Sequence, residues 1–180
     1  PDDPKKQFVK PIIEGVSRLN NIVSNLLTFT KPQQIKPNRV NINDTISEII
    51  DFFSFSLKNE KKNIEIITDF DSEDSEIYLD VQMFQQVLIN LLKNASEAVD
   101  PENGIIKITT TISVPLQMSD ILDEDEKDEL TRMFSFVEIQ ISDNGCGMDD
   151  STQNKLFSPF FTTKDDGNGL GLAICKKIIQ

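Results

Sequence analysis

Three clusters of residues in this 180-residue chain have the types and spacings that chemistry needs. The first is Asn90-Leu-Leu-Lys-Asn94-Ala-Ser-Glu97-Ala98. Asn90 and Asn94 are four residues apart, so on a helix they share one face, with Leu91, Leu92 and Ala95 toward the core. An amide oxygen is a hard neutral ligand that suits Mg2+, an ion that prefers oxygen and keeps waters and substrate phosphates around it. The second cluster is Ser142-Asp143-Asn144-Gly145-Cys146-Gly147-Met148, directly after an apolar strand. A buried carboxylate at the strand end can accept a hydrogen bond from an exocyclic amine such as that of adenine. Gly145 and Gly147 allow tight turns and close approach by a ligand. The third runs from Leu156 through Phe157, Pro159, Phe160, Phe161, Thr162 and Thr163 to Lys164, then Gly167-Asn168-Gly169-Leu170-Gly171. Glycines on alternate positions open a helix whose free N–H groups suit phosphate, and Lys164 is a point charge able to reach a terminal phosphate. Each cluster alone also has a plain reading: polar surface, an Asp-Asn-Gly turn, or aromatic packing in place of the anchor of a mobile lid. The glycine spacing matches neither a P-loop nor the dinucleotide fingerprint.

Bulk composition excludes other classes. The 18 basic and 30 acidic residues leave a net charge of −12, which repels nucleic acid and anionic lipid and argues against either as a partner. Local N–H groups and single lysines still permit a nucleotide. The chain contains no histidine, which removes His-ligated metals and His-based triads. Cys146 and Cys175 lack metal spacing and read as reduced thiols. No apolar run approaches the ~20 residues that span a bilayer.

The elements that must position these clusters come from periodicity. Residues 5–30 form one helix, in which Ile12, Val16, Leu19, Val23 and Leu26 make a heptad seam that Ile13, Ile22 and Leu27 widen. A stripe this broad needs partners, either the helices of a bundle or the chain's own domain; Pro32 and Pro37, which separate it from the rest of the chain, favour the bundle. Val40–Ile42 is a short strand. Residues 45–58 form a helix with Thr45 and Glu48 at capping-box spacing and Ile46, Ile49, Ile50, Phe53 and Leu57 as its inner face. Ile64–Phe70 and Ile77–Leu79 are strands. Asp80 caps a helix over 81–99 whose apolar side is Met83, Phe84, Val87, Leu88, Leu91, Leu92 and Ala95. Strands Ile105–Val114 and Phe136–Ser142 flank an acidic insertion at about 115–133, read as solvated, and a last helix starts near Leu170. The order predicts an α+β, two-layer α/β sandwich, with helices on one face of one mostly antiparallel sheet.

In this order and at these separations, the clusters resemble the N box, first glycine box, F box and second glycine box of sensor histidine kinases, the nitrogen-regulatory type above all. These kinases belong to a wider superfamily with the gyrase, heat-shock chaperone and mismatch-repair ATPases. The resemblance covers 40–180 as a Bergerat-type ATP-binding domain, apart from the acidic insertion. Residues 1–32 resemble part of the second helix of a dimerisation and phosphotransfer hairpin, with 33–39 as linker. The resemblance implies that Asn94 coordinates Mg2+ at the nucleotide phosphates with Asn90 in support, and that Asp143 reads adenine in a pocket shaped by Gly145 and Gly147. Lys164 and the backbone of Gly167, Gly169, Leu170 and Gly171 would close over the phosphates. Implied ligands are ATP and Mg2+. Implied partners are a second copy through residues 8–30 and the receiver domain of a response regulator. The implied location is cytoplasmic, including the cytoplasmic part of a membrane-anchored sensor.

Three departures qualify what is carried over. The phosphoacceptor histidine and its helix lie outside the chain, as does the glycine-bearing strand hairpin expected after Gln180. Glu97 and Ala98 stand where many kinases have Lys and Tyr. Asn90 stands where hydrolytic relatives have a glutamate, and an amide cannot activate water. This favours transfer of the γ-phosphoryl group to a histidine over a gyrase-type ATP hydrolase. A nucleotide-binding, dimerising adaptor without phosphotransfer is the remaining alternative, and a histidine motif upstream of Pro1 would separate the two.

Overall fold

The computed structural model describes residues 9, 12, 13, 15, 16, 19, 20, 23, 24, 26 and 27, then 34–71, 76–113, 136–164 and 167–180. The elements in chain order are β1 (Asn38–Asn41), α1 (Ile42–Asn59), β2 (Glu65–Phe70), β3 (Glu76–Leu79), α2 (Val81–Ala98), β4 (Ile105–Ser113), β5 (Phe136–Asp143), α3 (Asp150–Gln153) and α4 (Gly171–Ile179). Lys36–Gly147 is one compact unit; Met148–Gln180 and the N-terminal residues belong to a second.

The first strand and first helix meet without a loop because Asn41 serves both. It ends β1, and its Oδ1 accepts from the N–H groups of Asn43 (2.9 Å) and Asp44 (3.2 Å), two of the donors a helix start leaves without partners. The helix therefore begins earlier than the Thr45–Glu48 spacing suggested, and no capping box forms there. Thr45 lies inside the first turn, where its hydroxyl donates to the Asn41 carbonyl at 2.8 Å. Ile42, expected in the strand, is instead the first helical residue and is fully buried. The inner face of α1 is as its periodicity demanded, with Ile46, Ile49, Ile50, Phe53 and Leu57 buried.

The expected single sheet separates into two ladders. β1 pairs with β3, antiparallel, and β2-β4-β5 form a three-stranded sheet in that order. β4 and β5 are antiparallel, but β2 and β4 are parallel. The parallel pair follows from connectivity: β3 and α2 intervene between β2 and β4, a crossover long enough to return the chain in the same direction. One layer of the core comes from α1 and α2. The other comes from Ile106 and Ile108 of β4, with Ile66, Phe70, Val137, Ile139 and Ile141 half-buried beside them. Each fully buried aliphatic side chain there contributes roughly 1.5–3 kcal/mol. A polar contact also crosses this core: buried Thr110 donates to Oδ1 of buried Asn43 at 2.9 Å, joining β4 to the first turn of α1.

Outside this unit, the described N-terminal residues are helical, as expected, and the seam faces water. Ile12, Ile13, Val16, Leu19, Val23, Leu26 and Leu27 are all exposed. Ile22, the acidic insertion and Val114 lie outside the described residues. Among the described residues no helix is long and apolar enough to cross a membrane.

Asp80 links the linker to α2. Its Oδ2 accepts from Lys36 N–H at 2.8 Å and its Oδ1 from Met83 N–H at 3.2 Å, making it the N-cap the sequence predicted. The Lys36 bond first, then the Met83 bond, hold its carboxyl below the ordinary value of 3.8. A native value lowered in this way stabilises the fold above pH 3.8 and ceases to do so as pH falls through the native value. Asp80→Asn should therefore be less stable than the parent chain at neutral pH, and the gap should close as pH drops below 3.8. Urea unfolding midpoints of both proteins between pH 7 and pH 2.5, a range set about the carboxylate values, measure this; a gap independent of pH refutes it.

Candidate functional site

Asn90 and Asn94 lie one turn apart on α2, both half-buried. Leu92 and Ala95 are buried between them and the core, while Leu91 is only half-buried. Lys93 and Glu97 occupy the solvent side as an i,i+4 pair at 3.9 Å. The two amides thus stand at the boundary between core and water, where a ligand can be met without burying a charge. Among the described residues no group of three or more His, Cys, Asp or Glu side chains converges as a metal site. A metal on this helix would need an amide oxygen, with phosphates and waters completing its shell, which is a set Mg2+ accepts.

The first glycine cluster is docked on the end of that same helix. Cys146 N–H donates to the Ala98 carbonyl at 3.2 Å, using an acceptor that the helix end leaves without an intrahelical donor. A Cβ on Gly145 would stand 2.7 Å from the same oxygen, so only glycine permits the approach. Gly147 has φ +68 and open space where a Cβ would be. Asp143 closes β5 opposite Ile106, and its Oδ1 accepts from Gly145 N–H at 2.9 Å. The carboxylate expected to be buried is exposed. It shares the inner face with Val137, Ile139 and Ile141, but it sits at the last position of an outer strand, where cover runs out. The bond to Gly145 engages one oxygen and leaves the other to accept from an amine.

Sequence reasoning passed over Asn144 and the loop it grips. Asp100 folds residues 100–104 by accepting from Glu102 N–H (2.8 Å) and Asn103 N–H (3.1 Å). Asn144 then bonds that loop and the start of β4 through both backbone and side chain. The signal was present in Asp100-Pro-Glu-Asn-Gly104, a turn sequence directly after a helix.

In the second unit, Phe160 and Gly169 form a clasp. Phe160 N–H donates to the Gly169 carbonyl at 2.8 Å. Both residues are left-handed, with φ +67 and +65, a region where a bulky side chain is an outlier. A Cβ on Gly169 would overlap the backbone of Phe160. The aromatic and glycine clusters are therefore one closed loop, and Phe157 lies 5.7 Å beneath the Lys176 ammonium, within reach of a cation–π contact. Lys164 is exposed; its N–H donates to Thr162 Oγ1 at 3.1 Å and its carbonyl accepts from Gly167 N–H at 3.2 Å. Of the three glycines expected to open the helix, only Gly171 is inside α4. Leu170 is its N-cap and makes no side-chain cap bond, so the first N–H groups of α4 have no side-chain acceptor at the cap, as an anion site requires. A short helix absent from the sequence reading, α3, is capped by Asp149, whose Oδ1 accepts from Thr152 N–H at 2.7 Å. Its hydrogen bonds from Thr152, side chain first and then backbone, lower its pKa.

The chain is similar to known proteins over its whole length. A family model described as histidine kinase-, DNA gyrase B-, and HSP90-like ATPase matches residues 79–180. The signal transduction histidine-protein kinase AtoS of Escherichia coli (strain K12) is 32% identical over 175 residues, 97% of this chain and 25% of AtoS. The sensory histidine kinase/phosphatase NtrB of Klebsiella oxytoca is 28% identical over 180 residues, 100% of this chain and 47% of NtrB. The chain thus spans between a quarter and about half of these curated relatives. Among solved structures, the histidine kinase ThkA in complex with the response regulator protein TrrA aligns with a TM-score of 0.69 at 30% identity, over 100% of this chain and 46% of that one.

The two left-handed glycines make a controlled comparison. Gly147→Ala meets open space and should cost only the backbone term, about 1–2 kcal/mol. Gly169→Ala adds the collision with Phe160, so it should lower stability further and release the Phe160 amide. Hydrogen exchange measures this directly: a Phe160 amide protected in the Gly147 variant but not in the Gly169 variant is expected, and equal protection in both argues against the clasp.

Proposed function

The chain belongs to the histidine kinase-, DNA gyrase B- and HSP90-like ATPase family, and from that membership we propose that it binds ATP and presents the γ-phosphoryl group to a histidine outside these 180 residues, for relay to a response-regulator receiver. The observation that carries this reading is the docking of the Asp143–Gly147 turn on the Ala98 end of α2, the helix that bears Asn90 and Asn94. A base-reading carboxylate and a pair of amide ligands then share one rigid element.

In this reading Asp143 accepts from the adenine amine with the oxygen that Gly145 leaves unused. Gly145 and Gly147 keep the pocket wall free of side chains. Asn94 offers its amide oxygen to Mg2+, which when bound neutralises phosphate charge, and Asn90 supports it from the preceding turn. Lys164 supplies a local cation to the phosphates in a protein whose overall charge of −12 would repel them. The backbone N–H groups of Gly169 and Gly171 donate to phosphate oxygens, consistent with the absence of a side-chain cap on α4; those of Gly167 and Leu170 join them by exchanging their present acceptors, the Lys164 carbonyl and Asn168 Oδ1. Asn90 cannot take a proton from water at neutral pH, so the site holds the phosphoryl group for a protein acceptor instead of losing it to hydrolysis.

The exposed apolar seam of the N-terminal helix is the surface through which we propose pairing of two copies, by residues 8–30. ThkA is seen with its response regulator TrrA, and we extend that type of partner to this chain. A cytoplasmic location fits both proposals.

Asp143→Ala should remove the preference for ATP over GTP, because guanine lacks the amine at that position; the unpaired donor costs roughly 1–3 kcal/mol. Calorimetry that finds equal ATP and GTP affinity in the parent chain sinks the role. Asn94→Ala should abolish the Mg2+ dependence of nucleotide binding while Asn90→Ala weakens it less, and a titration that leaves the Asn94 variant fully Mg2+-dependent removes the metal assignment.

Incubated with labelled ATP and Mg2+, the chain should form no phosphohistidine, having no histidine, and should release phosphate slowly. Rapid phosphate release would replace this reading with the hydrolase one.

A further inference from the structure

Asn144 makes three hydrogen bonds to a segment about 40 residues earlier, although its side chain is exposed. Its N–H donates to the Ile105 carbonyl at 3.2 Å, its Oδ1 accepts from Ile105 N–H at 2.8 Å, and its Nδ2 donates to the Asn103 carbonyl at 3.3 Å. Regular pairing of β5 with β4 ends one residue earlier, at Asp143 opposite Ile106. Asn144 therefore prolongs the ladder with one backbone bond and two side-chain bonds, at the point where the chain leaves for the glycine turn. The segment it holds is itself fixed, since Glu65 N–H donates to the Gly104 carbonyl at 2.8 Å and so ties the loop to β2.

Asp143 needs such a brace. Its carboxylate is exposed, and the bond to Gly145 N–H is internal to the same turn, so the two residues can swing together. What stops them is Asn144 on one side and the Cys146–Ala98 bond on the other. We propose that Asn144 is a positioning residue for nucleotide recognition: it sets the direction of the Asp143 carboxylate relative to α2 and thereby sets the preference for adenine. This rests on the nucleotide-binding role proposed above for Asp143. Asn144 itself touches no nucleotide in this account, and because its side chain is exposed its loss should disturb selectivity more than stability.

The test is a set of calorimetric titrations of the 180-residue chain with MgADP and MgGDP. Asn144→Ala should lose roughly tenfold in MgADP affinity, the scale of one well-made hydrogen bond to a base, and most of the ADP-over-GDP preference. Asn144→Asp keeps the oxygen that accepts from Ile105 N–H and should keep most of the preference. A purely structural role would not be rescued in selectivity in this way. In the double variant with Asp143→Ala, the ADP-to-GDP ratio should match that of Asp143→Ala alone, because nothing remains to be positioned; multiplied losses overturn the proposal. So does an Asn144→Ala chain with the parent ratio. If Asp143→Ala itself keeps the parent ratio, the role of Asp143 fails and the inference fails with it, whereas loss in Asp143→Ala with retention in Asn144→Ala defeats the inference alone. Should Asn144→Ala not fold, Asn144→Ser, whose hydroxyl is too short to reach Ile105 N–H, carries the same comparison.

Discussion

The carbonyl of Ala98 is the point on which the Lys36–Gly147 unit turns. A helix end presents acceptors without intrahelical donors, and here one of them takes the Cys146 N–H while Gly145 passes too close for any side chain. The contact makes the end of α2 and the end of β5 a single joint. The roles proposed for Asn90, Asn94 and Asp143 depend on it, because the two amides lie on one member of the joint and the carboxylate on the other. The core of Ile42, Ile46, Leu88, Leu92, Ile106 and Ile108 supplies the rigidity that gives the joint a fixed geometry.

A second regularity runs through the molecule. Asn41, Asp80, Asp100, Asp143, Asp149 and Asn168 each accept a hydrogen bond from a backbone N–H two or three residues onward. Short acidic and amide side chains are suited to this because they compete for nearby donors at chain reversals. Four of the 30 acidic residues, Asp80, Asp100, Asp143 and Asp149, are therefore architectural. These four start helices and close turns, and among the described residues no acidic side chains converge into a metal site. The two uses of short-range donors are separate: these carboxylates are engaged along their own backbone, while the residues proposed for phosphate are glycine N–H groups and Lys164.

Legibility divided by range of interaction. The inner faces of α1 and α2 were readable because helical periodicity is a local property, and Asp80 was readable as a cap because its partner Met83 is three residues away. The same logic misplaced the start of α1. Thr45 and Glu48 have the right spacing for a capping box, but Asn41 captures the helix start first and buries Ile42. The single expected sheet became two ladders because hydrogen-bonded pairing depends on which strands lie side by side. Alternation within each strand does not encode that. Asp143 was read as a buried carboxylate at a strand end, yet exposure at the end of an outer strand depends on what covers it.

By itself, the sequence determined the three clusters, their order, the helical faces that carry them and the lack of histidine in these 180 residues, since these are statements about residue type and local spacing. Family membership was legible for the same reason. The tertiary structure decided what those boxes rest on. Asn144 holding Asn103 and Ile105, Gly145 against Ala98, and Phe160 closed on Gly169 are contacts between residues 9 to 47 positions apart. Such contacts exist only once the chain has folded back on itself, because a hydrogen bond across that distance requires a loop closure whose entropy the surrounding core must offset.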